Sequence, residues 1–109
     1  MTSGGLDFRL EVLLSIQRAL WEMVTPSLRG VAIQPKHPLI RARFIYDIEP
    51  TEVEREIVAE VETYVLADFD ESIDVNFQAD YVPADTPRKL QPGEEWVYLR
   101  REPVICTRE

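Results

Sequence analysis

The sequence predicts an α+β fold: a small, mostly antiparallel sheet with two helices packed on one of its faces. Three observations lead there. Two segments carry apolar residues at helical spacing, four read as strands, and they follow one another as α-β-β-α-β-β. All eight prolines, at 26, 35, 38, 50, 83, 87, 92 and 103, fall between periodic segments and act as punctuation. With 109 residues and 45% hydrophobic content, the chain has material for one domain around one core, residues 1–109, with 1–5 and 103–109 as loose tails.

The first helix is expected over Leu6 to Val24. Leu6, Leu10, Leu13, Leu14, Leu20, Trp21 and Val24 form its apolar stripe, and Pro26 ends it by disfavouring helical geometry at Thr25. Gln17 falls near the centre of that stripe, which predicts a buried amide bonded to nearby backbone or, alternatively, a polar anchor in a groove. A short strand follows, Leu28 to Gln34, and PKHP makes a turn. Leu39 to Tyr46 then alternates, with Ile40, Ala42, Phe44 and Tyr46 on one face and Arg41, Arg43 and Ile45 on the other, as the hairpin partner of the strand before.

Thr51 and Glu54 make a capping box behind Pro50, so the second helix starts there. Its expected inward stripe is Val53, Ile57, Val61, Tyr64 and Val65, and it ends near Asp68. Ile73, Val75, Phe77, Ala79 and Tyr81 alternate with Asp74, Asn76, Gln78 and Asp80, which marks a half-buried strand. The loop VPADTPRKLQPGEE leads to a last strand, Trp96 to Arg100, expected to form a second hairpin with the one before it. Periodicity leaves the strand order open. The crossover through the second helix is right-handed if its flanking strands are parallel.

The formal charge is −8, and it is unevenly spread. Residues 49–80 hold eleven acidic side chains and one basic one, Arg55, while residues 1–46 sum to +3 and 81–109 to zero. Such a field repels nucleic acid and anionic membranes and attracts basic proteins or cations. Apolar runs fall far short of a membrane span, and the N-terminus does not read as a signal peptide. Cys106 has no second cysteine to pair with, which fits a reducing cytoplasm and excludes a cysteine metal cluster.

Glu52, Glu56 and Glu60 line up on one row of the second helix, where like charges four apart repel by about 0.2–0.5 kcal/mol per pair. A merely solvated face would intersperse lysines, and this one has none. Asp68, Asp70 and Glu71 at the helix end, and Asp74 and Asp80 on the following strand, extend the row into a candidate acidic docking surface for a basic partner. Alternatives stand beside it. The same oxygens suit calcium or magnesium, but DFDESID lacks the glycine and spacing of an EF-hand loop, so no metal and no cofactor are expected. His37 sits in a turn without a nucleophile to serve, Cys106 has no histidine near it in sequence, and the four glycines form no phosphate loop. Enzyme chemistry is therefore not expected. Arg29, Lys36, Arg41 and Arg43 either form a second contact site or pair with the acidic helix inside the fold.

Three stretches carry a resemblance: QRALWEMVTPSLRGVAI at 17–33, ARFIYDIEPTEVEREIVAEVETYVLADF at 42–69 and WVYLRRE at 96–102. Together they resemble immunity proteins of contact-dependent growth inhibition in bacteria. The matching positions, Leu20, Thr25, Pro26, Leu28, Phe44, Tyr46, Trp96 and Tyr98, are core or turn residues and bear on fold more than on function. The resemblance implies a cytoplasmic, non-enzymatic protein, a monomer or weak dimer, that binds and blocks one cognate toxin domain. A nuclease-type toxin with a basic cleft would suit the acidic surface. The rival readings are a regulatory protein-interaction module and a small acidic metal-binding protein or enzyme.

Overall fold

A computed structural model describes residues 5–103; Cys106 and most of the expected tails, 1–4 and 104–109, lie outside them. The elements are α1 (Gly5–Ala19), β1 (Leu28–Lys36), β2 (Leu39–Tyr46), α2 (Glu52–Ala67), β3 (Asp74–Tyr81) and β4 (Glu95–Leu99), so the α+β class and the element order are as the sequence predicts. They build one sheet in the order β3-β2-β1-β4. β1 pairs antiparallel with both β2 and β4, whereas β2 and β3 run parallel across the α2 crossover.

The expected second hairpin does not form. β4 pairs with β1 at the far edge, not with β3. The segment between β3 and β4 is too long for a tight turn. It crosses the sheet instead, held by buried arginines described below.

Both helices pack on one face. Phe8, Val12 and Ile16 of α1 and Val58, Val61 and Val65 of α2 close over Val31, Ile33, Ile40, Ala42, Phe44, Tyr46 and Phe77. The inward face of β2 is as expected. The helix stripes are as expected only in part. Leu10 and Leu14 of α1, and Trp21 and Val24 beyond its end, are exposed, whereas Leu20 is buried and Leu13 packs on the core beside the buried line Phe8, Val12, Ser15, Ile16 and Ala19. In α2, Val61 and Val65 are buried and Ile57 packs on the core as expected, but Val53 and Tyr64 are exposed while Glu54 and Val58 are buried. Each helix has enough apolar residues to draw two lines at helical spacing, and the fit to the sheet selects between them. Arg9 makes a two-pronged pair with Glu95 of β4, and Ser15 Oγ donates to Asp68 at 2.6 Å. Both contacts are compatible with the rotation that buries the Phe8 line. Gln17 is consequently exposed, correcting the expected buried amide, though its Nε2 lies 3.4 Å from the Val97 carbonyl.

α1 also stops earlier than Pro26 alone implies. Trp21 N–H bonds back to the Arg18 carbonyl at 3.1 Å, and Glu22 takes a φ of 67°, a left-handed residue that ends the helix. The turn between β1 and β2 contains a cis His37–Pro38 peptide.

Candidate partner-binding surface

The capping box at the start of α2 forms as the sequence predicts. Val53 N–H donates to Thr51 Oγ1 at 3.2 Å, Thr51 N–H donates to Glu54 Oε1 at 2.7 Å, and the Thr51 hydroxyl bonds the same carboxylate. These bonds, the Thr51 hydroxyl first, hold the Glu54 carboxyl below its ordinary range. Glu54 is thus spent on the fold. Glu52, Glu56 and Glu60 are not: all three are exposed, and among the described residues none has a cation within ion-pair distance.

The other candidate acids divide. Asp68 caps the end of α2 and accepts from Ser15 Oγ and, at 3.1 Å, from Arg18 Nη2, so it ties α2 to α1. Asp70 accepts from the Ser72 hydroxyl and backbone N–H, which pull its carboxyl down. Glu71 and Asp74 are exposed. Asp80 is half-buried, 3.0 Å from Gln78 Nε2 and 3.5 Å from Arg43 Nη1. α2 covers the Phe77 side of β3, so Asp74, Asn76, Gln78 and Asp80 turn to the opposite face of the sheet. The glutamate row and the acidic strand face therefore stand on two sides of the molecule, with the outer edge of β3 between them.

The face opposite the helices carries a charge network that the sequence reading did not anticipate. Arg29, 1% exposed, makes a two-pronged pair with Glu102 at 2.9 Å on both prongs. Its Nη1 also donates to the carbonyls of Val82, Pro83 and Thr86 at 2.8–3.0 Å. Arg43 pairs in the same manner with Glu94 at 2.7 Å and donates to the Lys89 carbonyl. Arg88 and Arg100 complete the set, Arg88 donating to the carbonyls of Arg29 and Arg100, and Arg100 pairing with Asp47 and Glu102. This is what holds the 82–94 segment across the sheet. The expected pairing of Arg29 and Arg43 with the acidic helix is corrected: their carboxylates come from β3, the loop and residue 102. One signal was present in the sequence, an arginine inside the otherwise apolar run LRGVAI, since a charge there demands partners.

Packing reaches the remaining candidates. His37 stacks edge-on against Phe8, with ring centroids 4.9 Å apart. Tyr46 is fully buried, and burial, aided by Glu54, pushes its phenol up to about 12, where it stays protonated at neutral pH. Among the described residues no group of three His, Cys, Asp or Glu side chains is placed to hold a metal ion. None of their helices is long and apolar enough to cross a membrane.

Residues 9–102 match the family model described as MafI2 immunity protein. No curated protein matches the chain. The match agrees with the sequence resemblance at the level of an immunity protein, and the family it names is MafI2.

Proposed function

We infer the function of this chain from the fact that it belongs to the MafI2 immunity protein family: it neutralises a cognate toxin by binding it. An immunity protein of this kind blocks rather than catalyses, which agrees with the sequence reading. The finer reading is that the toxin domain is a basic, nuclease-type protein met in the cytoplasm, and that the glutamate row Glu52, Glu56 and Glu60 meets it, with Asp70, Glu71 and Asp74 as a second acidic patch across the outer edge of β3. The observation that carries this is the contrast between those carboxylates and the ones that tie the fold together. Glu94, Glu95 and Glu102 each have an arginine in place, whereas among the described residues no ion pair engages Glu52, Glu56, Glu60, Glu71 or Asp74, all of them exposed. Unpaired charge of one sign steers a partner of the other and raises its association rate. The resemblance to contact-dependent growth inhibition proteins favours a toxin delivered from neighbouring cells.

The test is co-expression with the toxin domain encoded beside this gene. Growth rescue and a co-purifying complex that weakens with salt are expected. The double variant Glu56→Lys with Glu60→Lys should weaken the complex on the order of tenfold and leave the melting temperature unchanged. Binding unchanged in that variant would move the contact away from the glutamate row.

A further inference from the structure

Strand β3 ends the sheet, and hydrogen-bond alternation shows which of its backbone groups face outward. Asp74 N–H donates to the Pro38 carbonyl at 2.8 Å and Val82 N–H to the Tyr46 carbonyl at 2.9 Å, so the even-numbered residues turn inward to β2. The odd-numbered ones, Val75, Phe77, Ala79 and Tyr81, turn outward. Among the described residues only the Phe77 N–H has a partner on that side, the Glu62 carboxylate at 3.0 Å. β3 keeps regular register from end to end and carries no proline, glycine or lysine; what guards its edge is acidic, Asp74 and Asp80 on the strand and Glu62 at the Phe77 N–H.

The surroundings of this edge select what can join it. A groove of about 350 Å³ runs between it and α2, lined by Arg55, Val58, Ala59, Glu62, Phe77 and Ala79. Asp74 and Asp80 stand near its two ends on the other face, and Asp70 and Glu71 lie in the turn that leads into it. A strand added here sets its side chains directly beside those of β3. On the α2 side Arg55 and Glu62 offset one another and Arg43 stands beside Asp80, so the excess charge is that of Asp70, Glu71 and Asp74: acidic side chains would be repelled at that end, and lysine or arginine would find carboxylates.

We propose that the outer edge of β3 is where an extended, basic segment of the cognate toxin docks, adding a fifth strand to the sheet. This rests on the immunity reading above. A carbonyl of the incoming strand replaces Glu62 at the Phe77 N–H. The released carboxylate then pairs with a basic side chain of the same segment, so Glu62 closes the edge to other strands and opens it to this one.

Hydrogen–deuterium exchange of the full chain, free and bound to the toxin domain, tests the proposal directly. The amides of Val75, Ala79 and Tyr81 should exchange freely alone and become protected in the complex. A complex that forms while these amides stay exchangeable overturns the docking site and leaves the immunity reading intact; no complex at all overturns both. Protection of the same amides in the free chain, with a dimer by sedimentation, also overturns it, since a second copy then holds the edge. Ala79→Pro gives an independent arm. It deletes one outward N–H at a position where an edge strand tolerates proline. With circular dichroism unchanged, toxin binding should fall about tenfold or more, and binding within twofold of the original chain would count against the proposal.

Discussion

On the loop-covered face of the sheet, Arg29 and Arg43 each grip a carboxylate with two prongs, and the four side chains are between 1% and 12% exposed. On the outer surface of α2, Glu52, Glu56 and Glu60 stand four apart in water, without an ion pair among the described residues. The first arrangement carries a large desolvation cost offset by close geometry and by backbone carbonyls that fill the remaining donors. The second accepts a small repulsion and returns little to the fold: Glu52 gains from the helix dipole in the first turn, and Glu60 accepts from the Tyr64 hydroxyl at 3.4 Å. The difference teaches that net charge says little by itself. What separates fold charges from surface charges here is whether a partner has been supplied.

Three measurements can break or sharpen this contrast. The largest effect is expected from Arg29→Met, which strands three loop carbonyls and removes the two-pronged partner of Glu102, leaving it Arg100 and Arg88. Urea denaturation should show a loss of about 3–5 kcal/mol, and a loss under about 1 kcal/mol would mean that the 82–94 segment is held by something other than this guanidinium.

Acidification comes next. Glu102 is held below the ordinary carboxylate value of 4.5 chiefly by its bond to Arg29, and Glu95 by its bond to Arg9. At Glu94 burial pushes upward, but Arg43 and the Gln91 N–H pull it below that value. A group with a depressed folded value adds stability that is full above 4.5 and disappears as pH falls through the folded value. Stability should therefore be flat above about pH 5 and decline below 4.5, and Arg29→Met should flatten that decline. An unchanged acid limb in the variant would contradict the pairing.

The smallest effect has the opposite sign. Glu56→Gln removes two like-charge contacts on α2 and should raise stability by about 0.4–1 kcal/mol. A loss instead would show that the glutamate row is tied into the fold after all.

Much of the fold was legible in the sequence. The capping box at Thr51 and Glu54 fixed the start of α2 because it is a local device whose residues sit three apart. The alternation of residues 39–46 located β2 and its inward face because only one register buries Ile40, Ala42, Phe44 and Tyr46 together. The rotation of α1 was not legible. Leu10, Leu14 and Trp21 keep helical spacing as well as Phe8, Val12 and Ile16 do, and the choice between the two lines rests on packing against the sheet and on contacts such as Arg9 with Glu95 and Ser15 with Asp68, all between residues far apart in the chain. The same reason hid the position of β4. Adjacent strands pair more often than not, and nothing local to Pro83 or Pro92 says that the chain between them crosses to the other edge. Of the candidate site, the exposure of Glu52, Glu56 and Glu60 followed from the helix pattern. The internal duties of Asp68 and Asp80 did not, since their partners come from α1 and β2.

The position of β1 in the sheet has a consequence for how the protein comes into being. It is the first strand made, yet one of its neighbours, β4, is the last, and Arg29 closes on residue 102. While the chain emerges from the ribosome, β1 can pair with β2 and wait, with one backbone edge and one guanidinium still in water. β4 and Glu102 arrive together only after the 82–94 segment has followed. Pairings of such long sequence separation are slow, and they make the last step of folding a closure rather than a growth.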